Sequence, residues 1–175
     1  MNNYKNLLIF FFFLGFSCVE RVRETNLTDK TITEASITKE ADFIEGKVIK
    51  IADGDTFTLI FENGFDVRVR LNGIDSPEKK QAFSKRAKQT LSDLIYDKTV
   101  TVYYKSKDRY GRVLGDVSIN DLNVNQEMVR RGMAWHFKRY SDDEELAKLE
   151  VEARKNKVGL WADPNAVAPW EFRKK

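Results

Sequence analysis

The chain is 175 residues long, 42% hydrophobic and 33% charged, with 30 basic against 27 acidic side chains and a net charge of +3. That supports one ordinary domain with a real core and excludes a collagenous, low-complexity or wholly disordered chain. A single cysteine and a single histidine exclude an intrachain disulfide, a cysteine-based zinc or iron–sulfur site and any site needing two histidines, so the chemistry left runs on carboxylates and arginines, with or without a hard metal.

Met1–Lys5 is short with one lysine, and Leu7–Phe16 is an unbroken apolar run followed by Ser17, Cys18 and a charged stretch from Glu20. The run is shorter than the roughly 20 residues of a transmembrane helix and has the length and order of a secretory signal. Leu14-Gly15-Phe16-Ser17-Cys18 resembles a bacterial lipobox, with the bulky Phe16 as its departure. Residues 1–18 are therefore read as a signal peptide with Cys18 as a lipidation site; an ordinary signal in which Cys18 is incidental is the plainer alternative. Residues 19–42 are rich in Thr, Glu and Ser without an aromatic residue, and seven acids face four bases between Val19 and Glu45. Such a stretch buries little surface and is expected to be a flexible tether. Gly46–Lys175 then carries 25 bases against 20 acids, a balance that suits an anionic partner without requiring one.

The domain, residues 43–175, begins with a β-rich run at Lys47–Ile51. Thr56–Phe61 alternates, with Phe57, Leu59 and Phe61 on one face, and Asn63-Gly64 is a hairpin signal because both residues tolerate positive φ. Phe65–Leu71 alternates strictly, which assigns Phe65, Val67, Val69 and Leu71 to the core and Asp66, Arg68 and Arg70 to the outside. Helical spacing of Phe83, Ala87, Leu91 and Leu94 predicts a helix over about Lys79–Ile95. Thr99–Tyr104 is a fourth strand, Arg109-Tyr110-Gly111 a turn and Arg112–Ile119 a fifth strand. Val124–Arg131 reads as a short helix that Gly132 stops. Ser141-Asp142-Asp143-Glu144 reads as a capping box for a helix to about Asn156. Three strands, a helix, two strands and further helices predict an α+β fold, a five-stranded Greek-key β-barrel of the OB type with about three α-helices.

Asp53-Gly54-Asp55 precedes the second strand and Ile74-Asp75-Ser76-Pro77-Glu78 follows the third. A hairpin returns the chain to its start, so Asp55 and Asp75 are expected side by side. Adjacent carboxylates repel unless a cation lies between them, and a hard divalent ion, Ca²⁺ or Mg²⁺, suits oxygen ligands. Glu78 follows three residues on, Arg70 lies just before this end, and Arg112 opens the fifth strand. Carboxylates, a hard metal and two guanidinium forks are suited to a phosphodiester whose charge must be neutralised as water attacks. Each piece also has an ordinary reading. Asp-Gly-Asp is a common turn, Ser76-Pro77-Glu78 is a plausible helix start, and Arg112 has Asp108 as a neighbour to pair with. The joint spacing is what is specific.

From Gly46 to Trp161, about 116 residues, the chain resembles the staphylococcal nuclease (thermonuclease) family, an OB-fold group. The matching pieces are Asp53-Gly54-Asp55-Thr56, Val69 through Glu78, Asp108-Arg109-Tyr110-Gly111-Arg112, Val124-Asn125 and Gly159-Leu160-Trp161. The resemblance implies Ca²⁺ on Asp55, Asp75 and the Ser76 carbonyl, and Glu78 as the carboxylate that positions or deprotonates water. It implies Arg70 and Arg112 as clamps on the transition-state phosphate, and Arg109, Tyr110 and Tyr140 as substrate contacts. It also implies cleavage of DNA and RNA at the P–O5′ bond, leaving 3′-phosphates. Two departures stand out: Ser76 replaces a threonine, and only four residues separate Glu78 from Phe83 where the family's type member has a long loop. The expected enzyme is an exported monomer, membrane-attached only through a lipid anchor. The rival readings are a non-catalytic OB module that binds nucleic acid or protein, and an adhesive surface lipoprotein; degenerate modules lose the acids and arginines that this chain keeps.

Overall fold

The computed structural model describes residues 43–174. The predicted signal, Cys18 and the tether lie outside the described residues.

Strand β1 (Phe43–Ile51) runs antiparallel to β2 (Thr56–Ile60), and β2 runs antiparallel to β3 (Asp66–Leu71). The two-residue strand β4 (Ile74–Asp75) follows, then helix α1 (Ser84–Ile95), strand β5 (Thr99–Lys107) and strand β6 (Val113–Ile119). β5 pairs antiparallel with both β1 and β6. β3 pairs in parallel with β6, Val69 opposite Val113 and Leu71 opposite Gly115. The ribbon β3-β2-β1-β5-β6 thus closes on itself as the expected five-stranded barrel of the α+β, OB-type fold. The barrel interior is filled by the inward positions of all five strands, with Val48, Phe57, Leu59, Val69, Val102 and Val113 fully buried.

A short strand β7 (Leu122–Asn123) leads into helix α2 (Val124–Arg130), whose N-cap Asn123 accepts from the Gln126 amide. β8 (Trp135–His136) pairs with β4, and helix α3 (Glu144–Lys155) and the four-residue helix α4 (Pro169–Phe172) complete the chain. Ala87, Leu91 and Ile95 of α1 and Val124, Met128 and Val129 of α2 join the barrel's apolar core. Asn125 ties α2 to the barrel mouth. Its Oδ1 accepts from the Val117 amide at 2.9 Å, and its Nδ2 donates to the Asn72 carbonyl at 2.9 Å and the Gly115 carbonyl at 3.2 Å. Removing such a side chain would leave several buried polar groups unpaired. Among the described residues no helix is long and apolar enough to cross a membrane.

Four local expectations are corrected. Phe65 is 53% exposed rather than core. It lies in the turn, where its amide donates to the Asn63 side chain and its carbonyl accepts from Phe61, so the alternation runs past the end of the barrel. Within that turn only Gly64 takes positive φ, at 84°, and Asn63 does not. Helix α1 begins at Ser84, five residues later than expected, because Lys80 and Phe83 adopt left-handed backbone (φ 80° and 66°) that no helix continues through. The cap of α3 is Asp143, whose Oδ1 accepts from the amides of Glu145 and Leu146; Ser141 instead meets His136 Nε2 at 3.1 Å.

Candidate active site

The β2–β3 register sets the centre. Thr56 stands opposite Arg70, which brings Asp55 beside the end of β3, where its carbonyl accepts from the Leu71 amide at 2.9 Å. Gly73, at φ 71°, lets the chain turn back after β3. Asp75 then sits on β4 against Trp135 of β8. The Ser76 amide donates to Asp55 Oδ2 at 2.8 Å and locks the two acidic segments together.

Asp55 and Asp75 therefore meet, buried to 5% and 1% exposure, and one guanidinium spans them. Arg70 Nη1 lies 3.1 Å from Asp55 Oδ2 and Nη2 lies 2.9 Å from Asp75 Oδ1. Arg70 also donates to the Ile74 carbonyl at 3.2 Å. Far from being a solvated residue on an outer face, it folds over the strand end and its side chain is only 13% exposed. Burial works against its charge, but Asp55, Asp75 and Asp53 outweigh that and raise its pKa further. Asp53 takes part through its Oδ1, which accepts the Asp55 amide at 3.1 Å. Burial first, and the Asp55 charge second, push the Asp53 carboxyl up to about 6. Burial likewise raises Asp75, against the opposing pull of Arg173.

Glu78 is at the lip of this pocket and half-exposed, with its amide donating to Gln81 Oε1 at 3.0 Å. Its carboxylate pairs with Arg173, which also bonds Asp75. Sequence reasoning had no signal for Arg173. It lies 98 residues from Asp75 and beyond the stretch that carried the family resemblance.

Arg112 approaches from the other side. Its Nε donates to Asp108 Oδ2 at 2.7 Å, so the ordinary pairing suggested by the sequence does form. Burial would raise the Asp108 carboxyl, but the Arg112 side chain and the amides of Arg112 and Tyr110 overcome it and hold Asp108 below the usual carboxylate range. Arg112 Nη1 also donates to Thr56 Oγ1 at 3.3 Å, and that hydroxyl donates to Asp55 Oδ1 at 3.0 Å. Thr56, named in the sequence only as part of a motif, is thus the link between Arg112 and the acidic pair.

The acids and arginines described above line one open cleft of about 2090 Å³, larger than the roughly 300–1,000 Å³ of a small-molecule pocket, while Thr56 is buried behind it. Arg109, Tyr110 and Tyr140 line it as well. Tyr110 is 67% exposed, with the Arg109 guanidinium 4.8 Å from its ring centre, and Tyr140 is 68% exposed, edge-on to Phe137. Lys79, Lys80, Lys85, Arg86 and Lys88 form an exposed basic bank on the same cleft. The structure thus gathers every expected site residue except Cys18, which lies outside the described residues. Trp135 and Trp161 pack together at 5.1 Å, as structural anchors.

An OB-type barrel whose cleft combines paired acids, guanidinium forks and a basic wall is the class that this fold and site define. Residues 68–163 match the family model described as "Staphylococcal nuclease homologue". The chain is 45% identical over 128 residues to a protein of Haemophilus influenzae named "Uncharacterized endonuclease", covering 73% of this chain and 72% of that one. It is 43% identical over 150 residues to a "Micrococcal nuclease" of Shigella flexneri, covering 79% and 85%. A staphylococcal-like nuclease of Arabidopsis thaliana is 46% identical over 107 residues, 61% of this chain and 32% of the plant protein. The chain belongs to the staphylococcal nuclease family, and its nuclease-named relatives support a nuclease function for it.

Proposed function

We propose that the protein is a Ca²⁺-dependent phosphodiesterase that hydrolyses DNA and RNA with little sequence specificity, leaving 3′-phosphates. The observation that carries this reading is the buried Asp55–Asp75 pair bridged by Arg70, with Glu78 and Arg112 facing the same cleft.

The donor set suits a hard cation. Asp53, Asp55, Asp75 and Glu78 set four carboxylates against the two guanidinium groups of Arg70 and Arg173. Fully ionised, that leaves an excess of negative charge at the site, and burial, with the Asp55 charge added to it, raises the Asp53 and Asp75 carboxyls. Among the described residues no cluster of three or more His, Cys, Asp or Glu side chains is arranged as a metal cage. The cation would be held by Asp55 and Asp75 with the Ser76 carbonyl and water completing the shell, as oxygen-loving ions accept. Bound there, a divalent ion supplies Lewis-acid neutralisation of the phosphate.

The chain's own residues do the rest. Glu78, at the cleft lip, accepts a proton from the attacking water or holds that water in line. As the new P–O bond forms and the P–O5′ bond breaks, charge builds on the non-bridging oxygens, and the departing 5′-oxygen takes a proton from solvent to leave as a hydroxyl. Arg70 and Arg112 meet it with fixed donors, Arg112 being oriented by Asp108 and Thr56. Exposed Tyr110 and Tyr140 offer flat faces for bases of any sequence, and the basic bank offers charge for the backbone. Activity-gel cleavage of DNA and RNA by the purified protein in Ca²⁺, lost in chelator and restored on adding Ca²⁺ back, is the expected result. Full cleavage in excess chelator would overturn the calcium assignment.

We further propose that the chain is exported and anchored through a lipid on Cys18. In detergent phase partitioning the wild-type protein is expected in the detergent phase and Cys18→Ser outside it. Wild-type protein in the aqueous phase with a free Cys18 thiol would remove the anchor.

A further inference from the structure

Two arginines serve Asp75, and they are held differently. Arg70 is nearly buried and tied to Asp55 and the Ile74 carbonyl as well as to Asp75. Its departure would leave several buried acceptors unpaired. Arg173 reaches in from the cleft side, with a side chain 42% exposed. Its Nη2 donates to Asp75 Oδ2 at 2.8 Å, its Nη1 lies 3.3 Å from Asp75 Oδ1, and Nη1 also bonds Glu78. Both oxygens of the buried acid, and the acid at the cleft lip, are thus engaged by one side chain that can retreat into open space.

Its placement is built into the fold. Arg173 immediately follows helix α4, and Trp170 of that helix stacks on Phe137 with ring centres 5.1 Å apart and planes 5° apart. Gln81 fastens the two sides together: its Oε1 accepts the Glu78 amide while its Nε2 donates to the Val167 carbonyl just before α4. The segment carrying Glu78 and the segment carrying Arg173 therefore share one clasp.

We infer that Arg173 and the divalent cation are alternative partners of Asp75 and Glu78, so that cation binding expels the Arg173 guanidinium and by the same event frees Glu78 to face the cleft. This rests on the reading that Asp55 and Asp75 hold the cation. The chemistry is one of exclusion. A guanidinium has donors only and cannot share in ligating a metal. A cation at the 2.3–2.6 Å typical of Ca²⁺–oxygen bonds would stand beside a group of like charge in a poorly solvated place, where repulsion is strong. Of the two arginines, the exposed one yields. Arg173 thereby keeps the acids paired until the cation arrives, and the pairing of Glu78 with Arg173 ties readiness for chemistry to cation occupancy.

The test compares the wild-type protein with Arg173→Gln, Arg173→Lys and Lys174→Gln, the last removing a neighbouring cleft-lining charge that pairs with Glu171 instead. Ca²⁺ affinity is measured by titration calorimetry, and melting by circular dichroism in chelator and in saturating Ca²⁺. Arg173→Gln is expected to bind Ca²⁺ about tenfold more tightly, the factor expected if the binding-competent arrangement is populated about one time in ten. Its melting point should fall by about 3–6 °C in chelator, the shift that matches the tenfold factor, and the gap should close in Ca²⁺. Arg173→Lys should lie between wild type and Arg173→Gln, and Lys174→Gln should change the affinity less than about twofold. Unchanged or weaker Ca²⁺ binding by folded Arg173→Gln overturns the inference, as does equal tightening by Lys174→Gln, which would show a general charge effect. No Ca²⁺ binding by wild type or any variant overturns the cation reading itself.

Discussion

Asp75→Asn is expected to abolish Ca²⁺-dependent cleavage while leaving the protein folded. Asp75 is 1% exposed and lies where the segments after β3 meet β8, Arg70 and Arg173. The amide keeps the size of the carboxylate and one acceptor oxygen, so packing in β4 is preserved. What it loses, in the proposed site, is the charge that would attract a hard cation, together with one of two anionic ligands, and oxygen sites are tuned strongly by ligand charge. The structural cost is the loss of one acceptor oxygen to Arg70 and Arg173, because the amide nitrogen can only donate; it is offset in part because burial already disfavours the ionised Asp75 carboxyl. Activity gels should show loss of cleavage at every Ca²⁺ concentration, circular dichroism should show an unchanged fold, and calorimetry should show Ca²⁺ binding lost or greatly weakened. Wild-type cleavage by folded Asp75→Asn would remove Asp75 from the site.

The convergence of Asp55 and Asp75 was legible in the sequence because strand pairing is arithmetic. Alternation in Thr56–Phe61 and Phe65–Leu71, joined by a turn at Asn63-Gly64, leaves little choice of register, and the observed Thr56–Arg70 pairing follows. Alternation says which face a residue is on; it does not say where the barrel stops. Phe65 was misplaced for that reason, and Arg70, assigned to an outer face, turns inward because two buried carboxylates lie just past the strand end. The start of α1 differs from the expected Lys79 because the apolar spacing from Phe83 to Leu94 marks a helix face and not where the helix begins. The Ser76 amide is spent on Asp55, and the chain needs a further turn at Lys80–Phe83 before the helix can begin. Pairings of two residues, such as β4 with β8, carry no periodicity at all. Arg173 was illegible for a different reason: its role comes from the docking of Trp170 on Phe137, a long-range contact that local pattern does not encode.

Arg112→Ala and Glu78→Gln should each lower kcat by about 10²–10⁴, with much smaller effects on binding of single-stranded DNA. The reason is where each charge acts. Arg112 is fixed by Asp108 at 2.7 Å and linked through Thr56 to Asp55, so in the proposed reaction its remaining donors would meet the anion beside the acidic pair without reorganisation. Glu78 is half-exposed at the cleft lip, where a water can reach it. Neither dominates the wider basic surface, and the Lys79–Lys88 bank on the same cleft is expected to supply most of the backbone attraction and its salt dependence. Arg70 is the less clean test, since its loss would leave Asp55, Asp75 and the Ile74 carbonyl without a shared donor and would lower stability together with rate. The competing view is that Arg112 merely neutralises Asp108. In that case Arg112→Ala and Asp108→Asn would lower the melting temperature alike and spare the specific activity of the folded fraction. The measurements are kcat and Kd on one oligonucleotide for Arg112→Ala, Asp108→Asn and Glu78→Gln, each checked for folding by circular dichroism. If Arg112 acts on the phosphate, Asp108→Asn should lose less turnover than Arg112→Ala, because the guanidinium remains, only less well oriented. Near wild-type turnover by folded Arg112→Ala and Glu78→Gln would return the cleft to a nucleic-acid-binding surface without catalysis.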